Sequence, residues 1–229
     1  MAKLGPEWKV AGVGSFKGDG RADILFRRST DGALLVVLMN GTQIQKATNV
    51  GAIGLEWTVY GVRDFNGDGT ADILFRRSTD GAILILLMQG DQVLSATIVG
   101  AIGTEWQVAG VGDFDGDRKA DILFRRATDG TVLMLLMDGA KVKSAPIAAK
   151  LGPEWVNAGV GDVSGDGMAD IVFRRTTDGA VLVLLMNGPN IQQASIVAQL
   201  GSDWSSCFQQ PTSPALNLTS PAVLRARRD

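Results

Sequence analysis

Short apolar and polar stretches alternate along the whole chain, and no segment has the apolar spacing of a helix. In the second quarter of the chain, alternating stretches and one fully apolar run are separated by glycine-rich segments, as in half-buried and fully buried strands. Asp80-Gly81 predicts a two-residue hairpin turn between two of them. The pattern predicts four β-strands, near residues 57–65, 73–75, 83–88 and 92–99.

The same pattern recurs every 49 residues without insertion or deletion, and its phase is marked by tryptophans at Trp8, Trp57, Trp106, Trp155 and Trp204. Four strands in a repeat of this length are typical of one blade of a β-propeller. We therefore predict an all-β fold, a β-propeller of four 49-residue, four-stranded blades that start near the first four tryptophans. The propeller is predicted to occupy residues 1–204. Residues 205–229 lack the repeat motifs and are predicted to be a C-terminal tail or a degenerate fifth repeat.

The sequence leaves the closure of the ring open. We expect a closed, monomeric ring of four blades, with the first blade packed against the fourth and the tail outside. Four blades are the low end of the range for propellers. The alternatives are a five-bladed ring that uses 205–229 and a ring completed by oligomerisation.

Composition and charge exclude several classes of protein. The chain has 22 Lys+Arg against 24 Asp+Glu, a net charge of −2, which argues against a nucleic-acid partner. It has no histidine, so a Ser-His-Asp triad and a histidine-ligated zinc site are impossible. The single cysteine, Cys207, has no intrachain disulfide partner, and no apolar run is long enough for a membrane span.

An acidic, glycine-rich loop follows the first strand of each repeat. A hard cation such as Ca²⁺ takes six to eight oxygen ligands, and alternate positions of a glycine-containing loop can supply them, as in an EF-hand. The second repeat offers side-chain oxygens at loop positions 1, 3, 5 and 9 and a backbone carbonyl at position 7: Asp64, Asn66, Asp68, Asp72 and Thr70. The third offers Asp113, Asp115, Asp117, Asp121 and the carbonyl of Lys119. The fourth offers Asp162, Ser164, Asp166, Asp170 and the carbonyl of Met168.

Two departures from the loop pattern affect this prediction. The first repeat has Ser15 and Lys17 at positions 1 and 3, which leaves Asp19 and Asp23, and the lysine ammonium would neutralise both in place of a metal. In the third repeat Arg118 replaces a glycine and is strained if the position requires a positive φ. Asp-Gly turns also form without an ion. Three loops with converging carboxylates nevertheless favour a bound cation, because like charges repel.

The pattern G-V-x-D-F-N-G-D-G-x-A-D-I-L, which here begins at Gly61, resembles the FG-GAP/VCBS repeats of integrin-type β-propellers. The resemblance covers residues ~5–203 and recurs four times. It implies calcium in the loops between the first two strands of each blade, an extracellular or cell-surface location, and a role in adhesion or ligand binding.

Tryptophans and arginine pairs also recur once per repeat. We expect the tryptophans to pack between blades rather than to stack on sugars. Neighbouring residues of a strand point to opposite faces, so the two arginines of each pair, such as Arg76-Arg77, should project to different sides. Ion pairs with a glutamate or with the turn aspartates are the expected role. A ring of guanidinium groups that binds an anionic glycan is the alternative.

These observations favour a non-enzymatic, calcium-stabilised β-propeller that binds a glycan or protein ligand as an adhesion or lectin-like module. A purely structural repeat scaffold is the second hypothesis. A propeller-type enzyme that acts on polysaccharides is the third, but no repeat has a distinctive set of polar residues. Tyr60, which alanine replaces in the other repeats, is a single change rather than a constellation.

Overall fold

The computed structural model describes residues 4–201, which form four consecutive antiparallel sheets and contain no helix. The predicted all-β architecture of four four-stranded blades is confirmed. No helix among these residues is long and apolar enough to cross a membrane. The proposed tail at 205–229 and the boundary that precedes it lie outside the described residues.

In each blade the strands follow one another in chain order across the sheet, so that the first and fourth strands form its edges. The first blade contains β1 (Trp8–Gly14), β2 (Asp23–Arg28), β3 (Ala33–Asn40) and β4 (Gln43–Ala52). The second contains β5 (Trp57–Arg63), β6 (Asp72–Arg77), β7 (Ala82–Gln89) and β8 (Gln92–Ala101). The third contains β9 (Trp106–Gly112), β10 (Asp121–Arg126), β11 (Thr131–Met137), β12 (Val142–Ser144) and β13 (Ile147–Lys150). The fourth contains β14 (Trp155–Gly161), β15 (Asp170–Arg175), β16 (Ala180–Asn187) and β17 (Asn190–Gln199).

The third blade differs from the others in its outer strand, which is divided into β12 and β13. Both pieces pair with β11. Pro146 lies between them and has no N–H to donate to the neighbouring strand, although its carbonyl accepts from the N–H of Met134 at 3.0 Å. The two pieces together therefore still form the outer edge of the sheet.

The hairpin turn between the second and third strands is longer than the sequence suggested. In the second blade it comprises residues 78–81, and the N–H of Gly81 donates to the carbonyl of Arg77 at 3.0 Å. Gly81 has a φ of 73°, which a glycine adopts without strain. The expectation of a two-residue turn is thus wrong, because the Asp-Gly pair forms the end of a wider loop.

The hydrophobic core lies between blades. We call the face of a blade that packs on the following blade its front face, and the face that packs on the preceding blade its back face. In the first blade the front face is formed by Leu25, Leu34, Val36 and Leu38. In the second blade the back face is formed by Ile73, Phe75, Leu84, Leu86 and Met88. The described residues form three such clusters, between blades one and two, two and three, and three and four.

Three of the tryptophans lie in these clusters, as expected, whereas Trp8 belongs to none of them and Trp204 lies outside the described residues. Trp57 belongs to the first, Trp106 packs against the second and Trp155 belongs to the third. The indole contributes a large apolar area to each junction. These three tryptophans are therefore structural elements of the blade interfaces.

The expectation of a closed ring is wrong for the described residues. None of the three clusters joins the fourth blade to the first. Val10 of the first blade is 61% exposed, whereas its equivalents Val59 and Val108 are 9% and 1% exposed. The difference arises because Val59 and Val108 face a preceding blade and Val10 faces none.

Candidate cation-binding loops

The four acidic loops connect the first and second strands of the blades and follow one another at the same end of the sheets. The Ala71 N–H donates to the carbonyl of Ser15 at 2.9 Å, and Ala120 and Ala169 make the same bond to the carbonyls of Asp64 and Asp113 at 2.7 and 2.6 Å. Each loop is thereby linked to the next. The sequence pattern fixes this placement because the loop always occupies the same phase of the repeat.

In the second loop the carboxylate of Asp64 organises the backbone. It accepts from the N–H groups of Gly67 at 2.6 Å and Gly69 at 2.7 Å. Asp68 accepts from the N–H of Thr70 at 2.7 Å and from the side-chain amide of Asn66 at 2.9 Å. The predicted side-chain ligands at positions 1, 3 and 5 are thus gathered within one loop.

The aspartate at position 9 has a different setting. Asp72 is fully buried, and its two carboxylate oxygens accept from the N–H groups of Phe65 and Met88, both at 2.8 Å. The same arrangement recurs in every repeat, with Asp23, Asp121 and Asp170. This residue ties the start of the loop to the end of the third strand, and its role as a metal ligand stays a prediction.

Two of the buried aspartates, Asp72 and Asp121, have raised pKa values. Burial raises the pKa of Asp72 to about 6, and the neighbouring carboxylates add to the rise, although the two backbone donors lower it. Burial likewise raises the pKa of Asp121 to about 7, with Asp115 and Asp117 adding to the rise. At both sites burial therefore favours the neutral carboxyl, and a positive charge nearby would favour the carboxylate.

The third loop has the most compact group of carboxylates. One oxygen each of Asp113, Asp115 and Asp117 lies within 4.8 Å of the others. The ammonium of Lys143, on β12, donates to Asp115 at 2.9 Å and to Asp117 at 2.8 Å, and these bonds raise the pKa of Lys143. Lys143 is thus a cation of the protein that neutralises two of the three carboxylates.

Sequence analysis did not identify Lys143. The other repeats have Gln45, Leu94 and Gln192 at this position. The one indication of its role in the sequence is therefore that only the third repeat has a basic residue there. The signal was missed because the residue lies 26 positions after Asp117, on the outer strand. Only the folding of that strand beside the loop brings the two together.

The same loop contains the one described non-glycine residue with a positive φ. Arg118 has a φ of 66°, and the glycines at its position in the other loops have φ values of 74°, 84° and 89°. The backbone N–H of Arg118 donates to Asp113 at 2.7 Å, as Gly69 does to Asp64. The position therefore requires a left-handed backbone, and the expected strain at Arg118 is present.

The fourth loop repeats the geometry of the second with the same number of carboxylates. Asp162 accepts from the N–H groups of Gly165 at 2.6 Å and Gly167 at 2.9 Å, which lower its pKa. Asp166 accepts from the N–H of Met168 at 2.9 Å. Ser164 supplies a neutral hydroxyl at position 3, so this loop presents two carboxylates and one hydroxyl at positions 1, 3 and 5.

In the first loop the Lys17 ammonium lies beside one of the two aspartates that it was expected to neutralise, so the expectation is confirmed for Asp19 and wrong for Asp23. The Lys17 ammonium is 3.0 Å from Asp19 and donates to the carbonyl of Met39 and the side chain of Gln45, both at 2.8 Å. It does not contact Asp23, whose oxygens accept from backbone groups. The first loop thus has its own cation at the position where the second has an amide.

The arginine pairs lie at the opposite end of the blades and project to two sides, as expected. Arg77 pairs with the turn residue Asp80 at 2.6 Å and stacks over Trp57, with 4.9 Å to the ring centroid. Arg76 instead donates to the carbonyls of Ile102 and Gly103 in the linker to the next blade, at 3.1 and 2.9 Å. The turn aspartates, rather than the glutamates, therefore provide the ion pairs.

A comparison with protein-family models matches the FG-GAP-like repeat over residues 16–75, 64–124 and 113–173. These matches span most of the chain and include the second and third loops entirely. The chain belongs to the FG-GAP-like repeat family. A search of curated proteins found no matching relative. Membership of this repeat family agrees with the propeller-like blades.

The donor set of the loops fits a calcium ion. Every candidate side chain in the second, third and fourth loops offers oxygen, and none offers nitrogen as a free acceptor or sulfur. The three clustered oxygens of the third loop are the most direct indication that a cation fits. A transition metal would favour imidazole or thiolate ligands, and the chain has no histidine.

Proposed function

We propose that this protein is a calcium-stabilised β-propeller module that binds a ligand outside the cell. The observation that carries the proposal is the recurring acidic loop of an FG-GAP-like repeat, with its carboxylate oxygens gathered at one end of the blades. The repeat family supports an extracellular location, and so does the millimolar calcium that weak loop sites would require.

The calcium would be held by Asp64, Asn66 and Asp68 in the second loop, with the carbonyl of Thr70. The corresponding ligands are Asp113, Asp115, Asp117 and Lys119 in the third loop and Asp162, Ser164, Asp166 and Met168 in the fourth. The position 9 aspartates Asp72, Asp121 and Asp170 complete the proposed sets. When bound, the ion would neutralise the loop carboxylates, in competition with Lys143 at the third loop, and would link residues on both sides of each turn.

The first test is thermal unfolding with and without calcium. An ion that binds only the folded state stabilises it by RT ln(1 + [L]/Kd), and loop sites of extracellular modules have Kd values of roughly 10⁻⁴–10⁻³ M. We expect a higher melting temperature in millimolar CaCl₂ than in EDTA. Identical melting curves would contradict a structural role for calcium.

A matched pair of variants localises the effect. Asp68→Ala removes a carboxylate from a proposed site, whereas Asp19→Ala removes one that Lys17 already neutralises. Isothermal titration calorimetry should show loss of one calcium site in the first variant and no change in the second. Equal losses in both variants would refute the assignment of the first loop.

The ligand is proposed to be a glycan or a protein, as in an adhesion or lectin-like module, and the protein is proposed not to be an enzyme. The absence of histidine from the sequence and the near-identical repeats support a non-catalytic role. The competing hypothesis is a repeat scaffold without a ligand. A glycan array probed in calcium and in EDTA separates them: calcium-dependent hits support the binding module, and an array without hits favours the scaffold.

A further inference from the structure

The two terminal blades each have an apolar face that no described blade covers. On the back face of the first blade, the side chains of Ile24, Phe26, Leu35 and Met39 are half-buried. Their equivalents in the second blade are the buried residues Ile73, Phe75, Leu84 and Met88. On the front face of the fourth blade, Val172, Val181, Val183 and Leu185 are also half-buried. Uncovered apolar faces of this kind usually mark an interface.

The chain forms the same interface three times, each time between the front face of one blade and the back face of the next. The two uncovered faces are one face of each kind. Every back face within residues 4–201 that has a preceding blade packs on that blade's front face. The back face of the first blade is therefore shaped for a front face of this repeat. The front face of the fourth blade is such a face, and no blade follows it among residues 4–201.

The first strands of the blades show the same difference between a covered and an uncovered face. A Cβ atom placed on Gly112 would lie 2.8 Å from Cβ of Ala169 and 3.1 Å from Cγ1 of Val160, so the glycine makes room for the next blade. The equivalent Gly161 has no atom within 4 Å of such a Cβ. Val13, the equivalent of Val160, is 47% exposed.

The loops offer a matching pair of backbone groups. In each internal junction the alanine N–H of one loop donates to the position 1 carbonyl of the preceding loop. Ala22 of the first blade is exposed, whereas Ala71, Ala120 and Ala169 are buried. Among the described residues, neither the N–H of Ala22 nor the carbonyl of Asp162 has this partner.

We propose that two copies of this chain associate head to tail, with the first blade of each copy packed on the fourth blade of the other. A second copy covers both open faces at once, because each chain carries one face of each kind. A head-to-tail interface forms a closed ring when its rotation closes. Two four-bladed chains would place eight blades in one ring, which is within the range of propellers.

The test is the mass of the full chain in solution, measured by light scattering and sedimentation velocity across a range of concentrations. We expect twice the mass of one chain. A monomer at all concentrations would overturn the proposal, and it is the result expected if residues 202–229 or another partner cover the faces. Polymers of increasing mass would overturn the closed ring.

Two variants test the faces one at a time. Val13→Glu and Gly161→Glu place a carboxylate on the back and the front face at positions that are open in a single chain. Each variant alone should be monomeric with the far-UV circular dichroism of the parent. Ile98→Glu, on the exposed surface of β8 and away from both faces, is the control and should remain dimeric.

Mixing the two variants distinguishes head-to-tail packing from other dimers. The Val13→Glu chain keeps an intact fourth-blade face, and the Gly161→Glu chain keeps an intact first-blade face. An equimolar mixture should therefore form a heterodimer through one remaining junction. A mixture that stays monomeric, or a Gly161→Glu chain that still dimerises, would refute the proposed interface.

Discussion

Each blade has a turn end, which carries the arginine pair and the turn aspartate, and a loop end, which carries the acidic loop. The two ends differ in how far contacts within the chain neutralise their charged side chains. At the turn end, the second arginine of every pair binds the turn aspartate, and the first donates to a glycine carbonyl of the linker. In the first two blades the first arginine also donates to the carbonyl of the isoleucine before that glycine. At the loop end, the four repeats differ at position 3, which is Lys17, Asn66, Asp115 or Ser164. At the turn end the aspartates are thus paired within the chain, although the Nε atom of the first arginine of each pair is buried without a hydrogen-bond partner among the described residues. The loop end instead varies in the charge that remains for a ligand.

The difference shows that recurrence alone does not identify a functional site. The arginines recur without change and form structural contacts, whereas the loops recur with changes that alter their chemistry. A lysine ammonium pairs with loop carboxylates in the first and third loops, and no described lysine pairs with those of the second and fourth. The predictions that follow test this division between a structural end and an ion-binding end.

The largest effect is expected at the turn end. Arg76→Ala removes a buried guanidinium that donates to two linker carbonyls, and charged hydrogen bonds of this kind contribute roughly 1.5–3 kcal/mol. Urea denaturation should show a loss of about that size, equal in CaCl₂ and in EDTA. Arg77→Ala is the matched control, because its exposed pair with Asp80 contributes at most about 1 kcal/mol. A loss of stability that depended on calcium would contradict the assignment of a purely structural role to the turn end.

The next effect concerns the lysine at the third loop. Lys143→Leu, which introduces the residue of the second repeat, removes an ammonium that competes with calcium for Asp115 and Asp117. We expect calcium to bind the third loop on the order of tenfold more tightly, which corresponds to about 1.4 kcal/mol. Calorimetry would measure this change. Lys141→Leu, which removes the same charge two residues away, should leave the affinity nearly unchanged, and an equal gain there would indicate a general charge effect.

A smaller effect is expected from the strained backbone of the third loop. Arg118→Gly should stabilise the fold by up to about 1 kcal/mol, because a non-glycine residue at φ 66° is strained. The reciprocal variant Gly69→Arg should destabilise it by a similar amount. Thermal unfolding in EDTA would measure both, and stabilisation by Gly69→Arg would contradict the explanation.

The smallest effect is the acid dependence of the turn end. The side-chain bond from Arg77, together with the Ala82 N–H, lowers the pKa of Asp80 from its usual 3.8 to about 2. A lowered pKa gives stability that is complete above about pH 4 and is lost as the pH falls through 2. Asp80→Asn should therefore lose less stability than the parent between pH 4 and pH 2, measured by urea midpoints. A steeper loss in the variant would show that the pair does not stabilise the fold.

Much of the fold could be predicted because each signal is local. The 49-residue phase, the apolar third strands and the glycine-rich loops specify strands and turns without reference to distant residues. The loop residues Asp64, Asn66 and Asp68 could be placed together for the same reason, since they lie in a single turn. The repeats also predicted that Trp57 would pack between blades, because one sheet cannot bury both faces alone.

What the sequence by itself determined is therefore the blade, its strands and the acidic loop with its oxygen donors. Tertiary structure decided how these units meet. It brought Lys143 from the outer strand to Asp115, buried Asp72 against two backbone donors, and left Val13 and Gly161 without neighbours at opposite ends of the chain. The physical reason is that each of these contacts joins segments whose separation depends on packing, so no local pattern of residues reports whether the ring closes.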